Sequence, residues 1–319
     1  MVENKTILIT GGTGSFGKKF VETLLKKHNN FKKLIVFSRD ELKQYELAQK
    51  LPKNDLDKVR FFLGDVRDKE RLYRALKEVD IVVHAAALKQ VPAAEYNPFE
   101  FIKTNVLGAQ NLIDASIDNN VEKIIALSTD KAAAPINLYG ASKLCSDKLF
   151  IAAKNYIGVN KITFSTVRYG NVMESRGSVI PLFKQQMKKG YLSITDKEMT
   201  RFAISLQEGV DMVLWAIKNS IGGEIFVPKI PSFKITDLAK AMSPSSKIKI
   251  IGIRKGEKID EELITKSDSF STYDLGEYYA ILSNISEKEL NKFRKKFPKI
   301  KKLKNNFSYN SKDNSDFLE

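Results

Sequence analysis

The chain holds 319 residues, 43% of them hydrophobic, enough for a sizeable core in one large domain or two modest ones. Its formal charge of +15 gathers in good part in a basic run over residues 288–304, read as a solvated face anchored by Phe293, Phe297 and Ile300, so no nucleic-acid partner is expected. No apolar run reaches the ~18–20 residues that span a bilayer, Met1 leads straight into a strand, and the single Cys145 excludes an internal disulfide, so we expect a cytoplasmic protein with no leader, no membrane partner and a buried apolar thiol.

Strand-like apolar runs fall at 6–10, 34–37, 59–63, 81–84, 124–127 and 162–167, with helical patterns at 16–27, 69–77, 99–118 and 139–156. Near-continuous apolar strands joined by helices imply a parallel sheet covered on both faces, hence an α/β doubly wound, Rossmann-like fold. After Arg168 the rhythm breaks. Residues 169–181 read as a polar binding loop, followed by a helix near 205–218, a strand near 224–227 and a helix from 236. The expected organisation is a nucleotide-binding domain over 1–168 and a smaller substrate-binding portion over 169–319 that returns some strands to the main sheet. The last dozen or so residues read as irregular.

The first strand runs into Thr10-Gly11-Gly12-Thr13-Gly14-Ser15-Phe16-Gly17 and then a helix. Glycines at this spacing let backbone N–H groups approach a pyrophosphate at a helix N-terminus, so Gly11, Thr13, Gly14, Ser15, Phe16 and Gly17 are expected to hold a dinucleotide. The second strand ends in Ser38-Arg39-Asp40, with Lys43 one turn on. Small and basic groups suit a ribose 2′-phosphate, so Ser38, Arg39 and Lys43 favour NADP over NAD, unless Asp40 turns inward. Asp65 and Val66 end the third strand, where an adenine edge is read. Ala85, Ala86 and Ala87 end the fourth and allow close backbone approach to the cofactor. Lys89 follows as a phosphate or sugar contact.

The fifth strand ends in Ser128-Thr129-Asp130-Lys131, and Tyr139 and Lys143 open the next helix on a shared face. A lysine beside a tyrosine is expected to lower the phenol pKa and make a base for an alcohol proton. With 11 tyrosines and 53 basic residues, about two such Tyr-x-x-x-Lys/Arg spacings arise by chance. Tyr73 and Lys77 form one, read as a helix-surface pair. Asp130 and Lys131 add a second proton-transfer pair, which simple alcohol oxidation does not need. His28 and His84 are the only histidines, and no metal site is expected.

Together these features resemble the extended short-chain dehydrogenase/reductases. More narrowly, the chain is similar to the inverting UDP-N-acetylglucosamine 4,6-dehydratases (C6-dehydratase/C5-epimerases) of pseudaminic acid biosynthesis. The resemblance rests on Ile-Thr-Gly-Gly-Thr-Gly-Ser-Phe-Gly (9–17), Ser-Arg-Asp-Glu-Leu-Lys-Gln (38–44), Gly-Asp-Val-Arg-Asp (64–68), Ser-Thr-Asp-Lys-Ala (128–132), Asn-Leu-Tyr-Gly-Ala-Ser-Lys (137–143), Arg-Tyr-Gly-Asn-Val (168–172), Met-Thr-Arg-Phe (199–202) and Gly-Glu-Lys (256–258). The chain departs from the family pattern at Gln90, Ala134, Met173, Glu174, Ala203 and Asp260. Of these, Gln90, Glu174 and Ala203 are expected to reshape the sugar pocket.

The resemblance implies that Tyr139, assisted by Lys143, takes the sugar C4 hydroxyl proton as hydride passes to NADP. Lys131 is then the base at C5 and Asp130 the acid for the departing C6 hydroxyl. Tyr139 or Lys131 delivers the proton back to C5, and the hydride returns to C6. It further implies a UDP-sugar held by Lys89, Lys131, Asn171, Thr195, Arg201, Arg254 and Glu257, with Arg176 a subunit or surface contact, and a homo-oligomer. A C4 epimerase of the same fold, or a non-catalytic NADP-binding protein, is the alternative.

Overall fold

The computed structural model describes residues 2–318 apart from 159, 160, 174, 176 and 284, so Glu174 and Arg176 lie outside the described residues. Six parallel strands, β1 (Thr6–Thr10), β2 (Lys33–Ser38), β3 (Val59–Leu63), β4 (Ile81–His84), β5 (Lys123–Thr129) and β6 (Thr163–Tyr169), lie in the order 3-2-1-4-5-6. Their side chains alternate between two apolar layers. Ile7 and Ile9 enter one core, Leu8 the other; Leu34 and Val36 oppose Ile35 and Phe37. Both faces are therefore covered, which is why these strands are apolar at nearly every position. Burying each such aliphatic side chain contributes roughly 1.5–3 kcal/mol. The strand order reverses between β1 and β4, and their C-terminal ends open the crevice where α/β sheets bind ligands.

The C-terminal portion extends this sheet. Ile225–Pro228 pairs parallel with β6, and Tyr278–Ile281, Thr272–Asp274 and Lys301–Lys302 follow in antiparallel order. Small sheets formed by Asn171–Val172, Thr200–Ile204 and Ser232–Lys234, and by Tyr191–Ile194 with Lys247–Ile250, pack on a third core around Phe183, Met199 and Phe233. The basic helix Glu287–Lys296 is anchored by Phe293 and Phe297, with the Phe297 ring 5.9 Å from that of Trp215. The tail, expected to be irregular, holds a short strand, Tyr309–Asn310, antiparallel to Glu262–Ile264, and is tied down beyond it: Ser232 accepts from Leu318 N–H at 2.7 Å and donates its own N–H to Asp316 at 2.8 Å.

Two expectations change. The helix expected over 99–118 is broken into Pro98–Phe101, a π-helical stretch Ile102–Leu107 and Gly108–Asp118. Gly108 abuts Val66 so closely that a β-carbon would stand 2.8 Å from its Cγ2. Cys145 is exposed, not buried. The helix Leu138–Ala153 turns Ser142, Lys143, Ser146, Asp147 and Phe150 inward, which leaves Cys145 on its outer side. No helix among the described residues is long and apolar enough to cross a membrane, and no group of three or more His, Cys, Asp and Glu there could hold a metal ion.

Candidate active site

The loop after β1 is built for close backbone approach. Gly11 has φ +66°, and a β-carbon on it would stand 2.9 Å from the Ala86 backbone; one on Gly17 would stand 2.5 Å from Gly12. Gly14 N–H donates to Gly11 O at 2.9 Å. The helix Ser15–Lys27 that follows has no side-chain cap and no acid in its first turn. Its first N–H groups and positive end are thus left for an anion. These residues fit a dinucleotide pyrophosphate. Thr13 is buried, and Phe16 stacks on Phe20 at 6.1 Å. Ala86 N–H donates to Thr10 Oγ1 at 3.2 Å, and the same hydroxyl is hydrogen-bonded with His84 Nδ1 at 2.8 Å. Burial, helped by the charge of Lys143, pushes His84 down to about 3, so its ring stays neutral.

At the tip of β2, Ser38 is buried and its Oγ accepts from Gln44 Nε2 at 3.0 Å. Asp40 does not turn toward the crevice. It caps the helix Glu41–Lys50, accepting from Lys43 N–H at 3.0 Å, and pairs with the Lys43 ammonium. Lys43 is therefore engaged. Arg39 stays half exposed, 3.5 Å from Asp65. Burial raises the Asp65 carboxyl, but Arg67 and Arg39 outweigh this and hold it low. Val66 is buried against Gly108, and Ala85 and Ala86 face Gly11, while Ala87 is exposed.

Tyr139 and Lys143 open the Leu138–Ala153 helix, whose cap Asn137 accepts from Gly140 N–H at 2.8 Å. The turn Asp130–Ala132 sits directly beneath. Asp130 is fully buried; its Oδ1 accepts from Thr129 Oγ1 at 2.8 Å and from Lys131 Nζ at 3.0 Å, and its Oδ2 has no partner. Lys131 Nζ also lies 3.2 Å from Glu261 Oε1. Burial works against its charge, yet Asp130 and Glu261 together hold the ammonium above the ordinary lysine range. Lys89 keeps solvent access along its side chain, while the protein around it and then the charge of Lys131 push its ammonium down.

The tyrosine differs from the expectation. Burial pushes the Tyr139 phenol up to about 12, opposed by the charge of Lys131 and a hydrogen bond with Thr129. The charge of Lys131 is the largest of the influences that favour its ionised form. Lys143 is itself buried, which pushes its ammonium down, and Asp147 on the next turn is its counter-charge. Asp147 in turn accepts from Ser128 Oγ at 2.6 Å and from Arg168 at 3.3 Å.

The remaining candidates separate into two kinds. Asn171 Oδ1 is buried without a partner, as a ligand-binding amide would be. Arg254 and Glu257, by contrast, bind each other through both oxygens, at 2.9 and 2.8 Å, and Thr195 Oγ1 donates to Glu257 at 3.3 Å. Arg201 is buried and donates to the carbonyls of Thr200, Ile259 and Lys258 at 2.7–2.9 Å instead of presenting a free fork. These bonds tie Arg201 to the segment 257–261. Lys258 Nζ ties the same segment to Ala133 O at 2.8 Å, and Asn137 Nδ2 ties Gly256 O at 2.7 Å. Gln90 abuts Gly177. Ala203 belongs to the third core, and Asp260 accepts from Thr200 Oγ1 at 2.7 Å. The Tyr73–Lys77 pair is on the surface, with Tyr73 bonded to Asp118.

Sequence reasoning missed Glu261, Asp147 and Asn105. Asn105, buried in the π-helical stretch, clamps Leu88 through both N–H and C=O at 2.9 Å and donates to Ser142 Oγ at 3.0 Å. It joins the Lys89 loop to the tyrosine helix. The offset of Asp147 from Lys143, one turn along the same helix, was the signal for that residue; Glu261 and Asn105 carried none.

Residues 7–283 match the family described as polysaccharide biosynthesis protein. The chain belongs to this family. Among its relatives, a UDP-N-acetylglucosamine 4,6-dehydratase (inverting) from Campylobacter jejuni is 53% identical over 98% of this chain and 94% of its own. A UDP-glucose 4-epimerase from Rickettsia akari is 47% identical over 88% and 84%. Of solved structures, Pen from Bacillus thuringiensis superposes with a TM-score of 0.88 at 37% identity over 98% and 94%. DesIV, a dTDP-glucose 4,6-dehydratase from Streptomyces venezuelae with NAD and TYD bound, gives 0.71 at 25% identity over 80% and 86%.

Proposed function

We propose that the chain is an inverting UDP-N-acetylglucosamine 4,6-dehydratase, a hydro-lyase acting as a homo-oligomer with a nicotinamide cofactor on its glycine loop. The observation that carries this reading is the Asp130–Lys131 pair beneath Tyr139, a second acid and base that C4 epimerisation does not use. The half-exposed Arg39 and the outward-turned Asp40 favour NADP over NAD; DesIV binds NAD, which supports the coarser nicotinamide assignment.

When bound, the cofactor supplies a hydride acceptor and later returns that hydride. Tyr139, ionised against the pull of burial by the charge of Lys131 and assisted by Lys143, takes the proton of the C4 hydroxyl as a phenolate, and the C4 ketone makes the C5 hydrogen acidic. The Asp130–Lys131 contact at 3.0 Å supports a route by which a charged pair serves as acid and base. One proton moving from Nζ to the carboxylate leaves a neutral amine and a carboxylic acid. Lys131 then takes the C5 proton while Asp130 gives its proton to the C6 hydroxyl, which departs as water. The pair ends as ammonium and carboxylate, as it began. Tyr139 and Lys131 are the proton carriers on which reprotonation at C5 draws.

The Rickettsia relative favours epimerisation as the second reading. Incubation with UDP-N-acetylglucosamine separates the two: a 4-keto-6-deoxy product, lighter by one water, supports dehydration, and a 4-epimer of unchanged mass refutes it.

A further inference from the structure

Glu261 takes part in none of these steps, yet it sits among them. It is 2% exposed, immediately before the strand Glu262–Ile264. Its Oε1 lies 3.2 Å from Lys131 Nζ and 3.8 Å from Arg201 Nε, and its Oε2 has no partner. Its backbone is fixed on both sides by Ser311, whose Oγ accepts from Glu261 N–H at 2.9 Å and whose N–H donates to Glu261 O at 2.8 Å. A buried carboxylate with one oxygen unsatisfied is costly to keep, and here its one strong contact is the amine assigned to C5.

We propose that Glu261 is a positioning residue for the elimination: it holds Lys131 Nζ against Asp130 and governs when the amine is free to take the C5 proton. The inference rests on the dehydratase reading. The groups facing Lys131 are Asp130 on its own turn, Glu261 before its strand, Arg201 on Thr200–Ile204, Lys89 after β4 and Tyr139 on the helix above. Two carboxylates thus oppose two neighbouring cations. Taking away the Glu261 charge leaves Lys131 facing Arg201 and Lys89 with Asp130 alone, so the proton losses of the Asp130–Lys131 pair move to lower pH. It also removes the second tether on Nζ.

The test is the pH dependence of C5 deuterium incorporation from UDP-N-acetylglucosamine in deuterated buffer, for wild type, Glu261→Gln and Glu261→Asp. The rising limb is expected to move toward acid by about one unit or more in Glu261→Gln. It should move by less in Glu261→Asp, whose shorter side chain retracts the charge, and the plateau rate should fall about tenfold in Glu261→Gln. Wild-type cofactor affinity identifies the variants that fold. If wild type forms no 4-keto-6-deoxy product, the dehydratase reading fails. If it does, and the limb of every folded variant coincides with wild type, Glu261 has no such role.

Discussion

A β-carbon on Gly140 would stand 2.1 Å from the carbonyl oxygen of Lys131. The helix carrying Tyr139 and Lys143 therefore rests on the turn carrying Asp130 and Lys131 with no room for a side chain between them, and this contact sets the two proton-transfer pairs beside each other. Because the obstacle is backbone, Gly140→Ala must lift the helix off the turn. Activity is expected to fall at least ~100-fold, as a misplacement of about 1 Å in a catalytic constellation does, with cofactor affinity changed far less. Steady-state kinetics alongside cofactor titration checks this.

Ala134 lies between those same two elements with φ +43°, a conformation costing a non-glycine residue roughly 1–2 kcal/mol and tolerated best by glycine and asparagine. Ala134→Asn is expected to raise the melting temperature by about 2 °C and to leave the product unchanged. A lower melting temperature contradicts the strain.

Burial holds His84 neutral down to about pH 3, whereas the unfolded chain protonates it near the ordinary ~6.5. Between those values the unfolded state binds more protons, so stability is lost as pH falls, by up to about 1.4 kcal/mol per unit. Denaturant midpoints over that range should therefore decline toward acid, and His84→Asn should flatten the slope.

Arg39 stands half exposed at the tip of β2 with only a 3.5 Å contact to Asp65. Arg39→Ala is expected to weaken NADP binding about 10- to 100-fold, the worth of charge-assisted hydrogen bonds to a phosphate, and to leave NAD binding nearly unchanged. Calorimetric titration of both nucleotides measures it, and equal losses contradict the NADP preference.

The doubly wound sheet was legible because its central strands are buried on both faces, so Thr6–Thr10 and Ile81–His84 read as largely apolar runs. The glycine loop was legible because backbone proximity demands Gly11 and Gly17. The break at Ile102–Leu107 was hidden, since its hydrophobic pattern is that of an ordinary helix. The Glu261–Lys131 contact was hidden because it joins distant parts of the chain through tertiary packing alone. Arg201 and Arg254 were implied as substrate ligands by the resemblance; that their donors meet backbone carbonyls and Glu257 could not be read from the sequence. Tyr139 read as lysine-activated because Lys143 shares its face; the opposing pull of burial on the phenol is invisible in the spacing.

Incubation of wild type and Lys131→Ala with UDP-N-acetylglucosamine in deuterated water, followed by mass and stereochemical analysis of the product, tests the central claim most directly. Wild type is expected to give a 4-keto-6-deoxy sugar with deuterium at an inverted C5. Lys131→Ala is expected to lose dehydration and C5 exchange at least ~100-fold. A Lys131→Ala enzyme that dehydrates and exchanges C5 at the wild-type rate, or a wild type that forms only a 4-epimer without deuterium, contradicts the account.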